Sequence, residues 1–413
     1  MKHLVAVYFA IIALAVPWFV FTYPDITKSI VSSIDGAINQ VATVIISHNP
    51  KTAQSIKDRY DKKGIEKESK VRVLIVAGHE PDFGGTEFGT LKERDLTVEL
   101  SDYLAKYIKS NSRFEVFTTR DSNGWTTIFD KYFKEKWDDI KEWTIAYKRE
   151  QAKFVSMGKI EKVQSPVFHN TAKENVALRL HGINKWINEN DIDIAIHIHF
   201  NDYPRDRQDL AGEYTGFAVY VPEGQYFNSS TTKIIAERVF KRLAKYNPVS
   251  DLRMEKSGIV EDQDLIAVGS NNSLNSASML IEYGYIYEPQ FLNPETRDMA
   301  LKDLAYQTYL GLIDFFDIEM ANYNSLAYDT TILPYSWERP LEKSSPKDVY
   351  ALQTAFIYDS IYPPKGYSKN DCPRSGKIGP CTKTAIQTFS ERFSKNKNIN
   401  ETLNTRYGMK LVN

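Results

Sequence analysis

The sequence predicts an α/β protein with a small all-α unit at its C-terminal end and an apolar helix at its N-terminus. Three observations carry this. β-rich runs at residues 71–77, 114–121 and 193–201 alternate with stretches of helical spacing, the pattern of strands covered by helices. Residues 4–22, LVAVYFAIIALAVPWFVFT, carry no charge over about the length of a bilayer-crossing helix. Beyond residue 345 strand patterns give way to helical spacing alone.

The chain has 413 residues, of which 42% are hydrophobic and 25% charged, which is material for two or three packed domains and excludes a disordered chain. Its 52 Lys and Arg balance 53 Asp and Glu, so the charge gives no reason to expect a nucleic-acid partner. With only Cys372 and Cys381, four-cysteine zinc clusters and iron–sulfur ligation are ruled out.

In chain order, the short basic start Met1-Lys2-His3 precedes the apolar run, and no small-x-small cleavage site follows it at Phe21-Thr22-Tyr23-Pro24. Residues 1–23 therefore read as a retained membrane anchor in preference to a cleaved signal. The basic flank places everything after Pro24 outside the cytoplasm, facing the cell envelope, or secreted if the segment is cleaved. Residues 24–70 read as a membrane-proximal spacer whose charged run KDRYDKKGIEKESK is a solvated linker or helix face.

Residues 71–318 read as one α/β domain. The run 71–77 is a buried strand that delivers Gly78-His79 to a sheet edge. After a Gly-rich loop, Glu93 opens a helix with Leu96, Leu100, Leu104 and Ile108 on one face. Residues 114–121 form a second strand, 175–190 a helix, 193–201 a strand, with further strands at 215–221 and 277–282 and a closing helix over 294–316. Residues 122–170 interrupt the alternation. There Phe133, Trp137, Ile140, Thr144, Tyr147, Gln151 and Phe154 fall three and four apart, one face of a long helix that is either a packing arm on the sheet or a lid or regulatory helix over the site.

Of seven His, three lie near strand ends: His79, His197 and His199. Zinc takes imidazole nitrogens and carboxylate oxygens, and a catalytic site keeps one position for water, so His79, Glu93 and His199 could supply a three-ligand set. Period-two alternation puts His197 and His199 on one strand face. The bland reading of each is a structural hydrogen-bonder. Asn201 either orients substrate or closes a turn, and Glu282 is either functional or a strand carboxylate paired with Arg120.

The order G-H-E-P-D-F-G-G (78–85), L-K-E-R-D (91–95), T-R-D (119–121), I-H-I-H-F-N-D (196–202) and L-I-E-Y-G-Y (280–285) resembles the zinc-dependent N-acetylmuramoyl-L-alanine amidases. The resemblance implies a mixed-sheet catalytic domain, one Zn2+ held by His79, Glu93 and His199, and catalysis by Glu282. It leaves His197, at the position of the family's Ser, with Asn201 and Arg120 as second-line or substrate-binding residues. This sequence departs from the family in Glu80-Pro81 after the first His and in the enlarged 122–170 stretch.

Residues 319–344 read as a linker rich in Tyr, Pro and Ser. From Ser345, a capping residue before Pro346, a helix carries Val349, Leu352 and Phe356, and a second carries Ala385, Ile386 and Phe389. Leu352-Gln353 followed by G-K-I-G-P-C-T-K-T-A-I-Q-T-F resembles the small helical peptidoglycan-binding domain, over 345–413. Cys372 and Cys381 are either one disulfide, which requires an oxidising compartment, or two free thiols. The expected function is hydrolysis of the bond between N-acetylmuramic acid and L-alanine in bacterial peptidoglycan, with an activating partner protein left open. The alternatives are a zinc peptidase acting on the stem peptide and an inactive wall-binding or regulatory protein.

Overall fold

A computed structural model describes residues 51–61, 70–167, 172–205, 207–268, 275–317, 328–395 and 397–408. The N-terminal apolar run, most of the expected spacer, and His3, His48 and His169 lie outside the described residues. Among the described residues no helix is long and apolar enough to cross a membrane.

The chain runs α1 (Ala53–Asp61), β1 (Val71–Ala77), β2 (Glu87–Phe88), β3 (Leu91–Lys92), α2 (Glu93–Lys109), β4 (Phe114–Thr118), β5 (Arg120–Asp121), β6 (Gly124–Trp125), α3 (Thr127–Ser156) and α4 (Glu174–Glu189). There follow β7 (Ile194–Asn201), β8 (Ala218–Pro222), α5 (Ser229–Tyr246), β9 (Ile259–Asp262), β10 (Ala277–Tyr285), α6 (Pro289–Leu292), α7 (Pro294–Phe315), α8 (Pro346–Tyr358), α9 (Pro380–Phe389) and α10 (Ile399–Tyr407). Six strands form one mixed sheet in the order β4-β1-β7-β10-β8-β9. The four strands β4, β1, β7 and β10 are parallel, β8 is antiparallel to β10, and β9 is parallel to β8.

The central strands are apolar on both faces because helices cover both. Val73, Ile75, Ile196, Ile198, Met279 and Ile281 point into one core with α2, α5 and α7. Leu74, Val76 and Ala195 point the other way, against Phe129, Phe133 and Ile140 of α3 and Ile183, Trp186 and Ile187 of α4. The inserted helix thus packs on the sheet, the first of the two roles open to it. Six of its seven face residues are buried; Trp137 is half-buried, with the Arg179 guanidinium 5.6 Å from its ring centre.

Two expected boundaries move. Within the stretch read as spacer, α1 buries Ile56 and Tyr60, and Tyr60 stacks on Phe316 with centroids 4.1 Å apart. Arg59 reaches Asp193 at 2.8 Å and Asp191 at 2.6 Å. Two apolar residues four apart suffice to seat one helix face, and the charges around them mask that face in the sequence. Within the stretch read as linker, Ile332, Leu333, Trp337 and Leu341 are buried, and Trp337 Nε1 donates to the Asp348 carbonyl at 3.0 Å.

Helix α7 explains this second shift. It is buried on every side, from Leu301 and Leu304 round to Leu310 and Leu312, so α2 and α5 cover part of it and α8 another part. Arg374 crosses the same junction to Asp303 of α7 at 3.1 Å, with both side chains buried. In the C-terminal unit Ser345 and Asp348 form a reciprocal cap on α8, and a disulfide joins Cys372 in the preceding loop to Cys381 in the first turn of α9. Helix α10, with Leu403 and Tyr407 buried, was not foreseen; Asn398 caps it.

Candidate metal centre

The parallel strands end together, and three side chains meet there. β1 runs out at Ala77, and His79 follows in the left-handed backbone region at φ 70°, a conformation that costs a non-glycine residue on the order of 1 kcal/mol or more. Glu93 is the first residue of α2, where a carboxylate sits favourably at the positive end of the helix dipole. His199 lies on β7, on the sheet face opposite to Ile196 and Ile198.

One nitrogen from each His and one oxygen of Glu93 lie within 4.8 Å of one another. Glu93 Oε1 is 2.8 Å from His79 Nε2 and 3.1 Å from His199 Nδ1, and it also accepts from the Phe200 amide at 3.0 Å. The other oxygen accepts from the Thr86 amide at 2.9 Å, so the carboxylate is pinned between loop and strand. The close approach of Glu93 to His79 lacks hydrogen-bond geometry, which leaves His79 Nε2 buried without a hydrogen-bond partner among the described residues. A nitrogen lone pair and a carboxylate brought together in this way suit a cation.

The backbone is cut to fit. A Cβ on Gly78 would stand 2.5 Å from the His199 ring, and one on Gly85 would stand 2.9 Å from the His79 ring. Only glycine lets the loop close over the two imidazoles.

The charge states agree with metal binding. Burial alone would raise the Glu93 carboxyl, but the two His hold it well below the ordinary carboxylate range. Burial, helped by His79 and Arg120, lowers His199 and keeps it a neutral ligand against the pull of Glu93. Glu282, on β10, pairs across the sheet with His199. Burial raises its carboxyl well above the usual value, and the charges of Glu93 and Glu255 raise it further. Its Oε2 is buried with no hydrogen-bond partner among the described residues.

The other sequence candidates separate. His197 sits one step deeper on the same face, between Val76 and Leu280, outside the three-residue group. Burial, then His199, lowers it to about 3, so it is neutral. Arg120 makes no pair with Glu282. It donates to the Ala77 carbonyl at 3.3 Å, the Glu80 carbonyl at 3.4 Å and the Arg94 carbonyl at 3.0 Å, and also to Gly78, so it clamps the backbone on either side of His79. Asn201 donates from Nδ2 to Glu255 at 3.0 Å.

Two acidic residues gain a role only in the structure. Glu80, in the sequence a departure from the family beside His79, is buried and meets Arg179 of α4 at 3.1 Å. Glu255 is fully buried, yet SDLRMEKSG reads as solvated loop and offers no signal.

The fold and site define a three-layer α/β domain carrying a candidate two-histidine, one-carboxylate metal centre at the ends of parallel strands. A family model described as N-acetylmuramoyl-L-alanine amidase matches residues 73–314. The chain belongs to that family and is an enzyme of that class. No curated protein matches the chain. Among solved structures, it is similar to an N-acetylmuramoyl-L-alanine amidase from Clostridium difficile 630, at 18% identity and TM-score 0.35 over 60% of this chain and 98% of that one. The CwlD amidase from Clostridioides difficile, in complex with the GerS lipoprotein, shows 15% identity and TM-score 0.38 over 60% of this chain and 100% of that one. Ami1 from Mycobacterium smegmatis shows 14% identity and TM-score 0.38 over 60% and 97%.

Proposed function

We propose that the enzyme hydrolyses the amide between the lactyl group of N-acetylmuramic acid and the L-alanine of the peptidoglycan stem, with zinc held by His79, Glu93 and His199 and Glu282 as general base. The observation that carries this is the placement of Glu282 directly across from His199, beside a three-ligand cluster whose atoms lie within 4.8 Å. Bound zinc supplies a Lewis acid that polarises a carbonyl, acidifies a water, and by its charge brings the Glu282 carboxyl down into the range of a base at neutral pH.

The protein's own groups do the rest. Glu282 takes a proton from water as the water oxygen bonds to the lactyl carbonyl carbon, and returns it to the alanine nitrogen as the C–N bond breaks. The products are a muramic carboxylate and a stem peptide with a free amino terminus. Glu93 and neutral His199 hold their positions through the Phe200 and Thr86 amides and the Gly78 close approach.

The C-terminal unit is proposed to bind the wall: its resemblance to the peptidoglycan-binding domain and its excess of Lys and Arg suit an anionic surface. The disulfide between Cys372 and Cys381 supports a location outside the cytosol, with the N-terminal apolar run as anchor. The test is to measure zinc in the full-length enzyme and identify the products from purified peptidoglycan by mass spectrometry. Stem peptides with free L-alanine amino termini support the amidase; cleavage inside the stem means a peptidase, and no products with no zinc mean a binding protein.

A further inference from the structure

Behind Glu282 lies a second carboxylate that the proposed chemistry does not use. Glu255 is 0% exposed, and burying an ionised carboxylate is costly unless hydrogen-bond donors surround it. Here four do. Tyr220 donates at 2.5 Å, Asn201 Nδ2 at 3.0 Å and Tyr285 at 3.3 Å, and the Ser250 hydroxyl donates to the second oxygen. Burial, then Glu255 itself, holds the Tyr220 and Tyr285 hydroxyls protonated, so both remain donors.

With four donors converging on it, the Glu255 carboxylate accepts, which fixes the Asn201 amide: its NH2 group faces Glu255, leaving Oδ1 as its free end. No partner for Oδ1 exists among the described residues, and Asn201 is only half-buried. Residues 199 and 201 share a strand face about 7 Å apart. That free oxygen therefore lies one step along β7 from a metal ligand.

We infer that Glu255 is a positioning residue: by holding the amide nitrogen of Asn201 it presents the Asn201 side-chain oxygen beside the metal centre, as acceptor for an amide N–H of the muramoyl peptide. Glu255 touches no substrate and acts through Asn201. The inference rests on the amidase reading and names part of its substrate recognition.

The test compares kcat and KM of the full-length enzyme on a synthetic N-acetylmuramoyl tetrapeptide across four forms: wild type, Glu255→Gln, Asn201→Asp and the double variant. In Glu255→Gln the Ser250 and Tyr285 hydroxyls, which donate to one carboxylate oxygen, hold the Gln oxygen there, so its NH2 takes the place of the oxygen shared by Tyr220 and Asn201 and the Asn amide turns over. A donor then faces the substrate N–H, and KM rises about tenfold or more with a smaller change in kcat. Asn201→Asp sets two carboxylates face to face and loses at least as much. In the double variant one carboxylate oxygen at position 201 accepts from the Gln NH2 and the other faces the substrate as acceptor, which returns KM to within about threefold of wild type.

Unchanged KM in Glu255→Gln, or no recovery in the double variant, overturns the inference while leaving the amidase intact. A wild type that does not cleave the substrate overturns the amidase reading and this inference with it. If Glu255→Gln does not fold, Asn201→Ala leaves Glu255 its three hydroxyl donors; raised KM then supports the inference and unchanged KM overturns it.

Discussion

Glu282 on β10 faces His199 on β7 in register, and its buried outer oxygen has no hydrogen-bond partner among the described residues. A carboxyl raised by burial is poised to exchange a proton, and the partnerless oxygen is the atom that would do it. Glu282→Gln should lower kcat by roughly 10²–10⁴-fold while zinc content stays at wild-type level. The stability of the metal-free protein should move the other way. Because the folded carboxyl is raised above its unfolded value, wild type is fully stable in this respect below the unfolded pKa and loses stability as pH rises. Denaturation of the metal-free forms should show the Gln variant more stable at neutral pH, with the difference vanishing near pH ~4.

The Gly78 position tests the fit of the loop to the ligands. An added methyl group would stand 2.5 Å from the His199 ring, so Gly78→Ala must displace the imidazole. Zinc affinity should fall by on the order of tenfold or more, read by competition with a chelator, as for other residues that orient metal ligands. Gly379→Ala, where nothing lies within 4 Å of the added carbon, should leave affinity unchanged.

Part of this site was legible because its residues punctuate strong local patterns. VRVLIVA and IAIHIHFN could only be buried strands, so their ends located His79 and His199, and Glu93 marked a helix start. The fold class and mixed sheet followed from the same alternation together with the family resemblance. What escaped depends on distant contacts. Nothing in the loop around Glu255 announces that Tyr220 and Asn201 will surround it. Arg120 offered an obvious partner in Glu282, but its planar fork donates instead to four backbone carbonyls around His79 and to the Thr97 hydroxyl. Trp337 lies in an aperiodic, Pro-containing stretch, and its place is set by α8 and α10: the Asp348 carbonyl accepts from its ring, the Asn404 side chain accepts from its amide, and the Tyr407 ring lies edge-on to it.

The junction between α7 and the C-terminal unit should unfold with the catalytic domain. Arg374 is buried between Asp303 at 3.1 Å and the Tyr350 ring at 4.6 Å, and it also donates to Asn247 at 3.0 Å. Removing one partner of such a pair leaves the other charge buried, at about 3–5 kcal/mol. Arg374→Met should therefore shift the urea midpoint of one transition seen alike by all probes, and Arg374→Met with Asp303→Leu should recover much of the loss. Two separate transitions in wild type would show that the shared core does not couple the units.

The helical layer over the sheet carries its own acid sensitivity. His181 of α4 is 1% exposed, and neither ring nitrogen has a hydrogen-bond partner among the described residues. Burial first, then Lys148, lowers it from 6.5 to about 4. Above pH 6.5 the ring is neutral in folded and unfolded chains alike, and no stability is lost. As pH falls below 6.5 the unfolded chain takes up the proton first, so stability drops until the folded ring titrates near 4, a loss of up to about 3 kcal/mol. His181→Leu removes the titration together with two desolvated nitrogens, so it should be neutral or stabilising at pH 7 and should flatten the fall in stability between pH 6.5 and 4. Parallel stability profiles for wild type and variant across that window would mean that the ring reaches water before the layer unfolds.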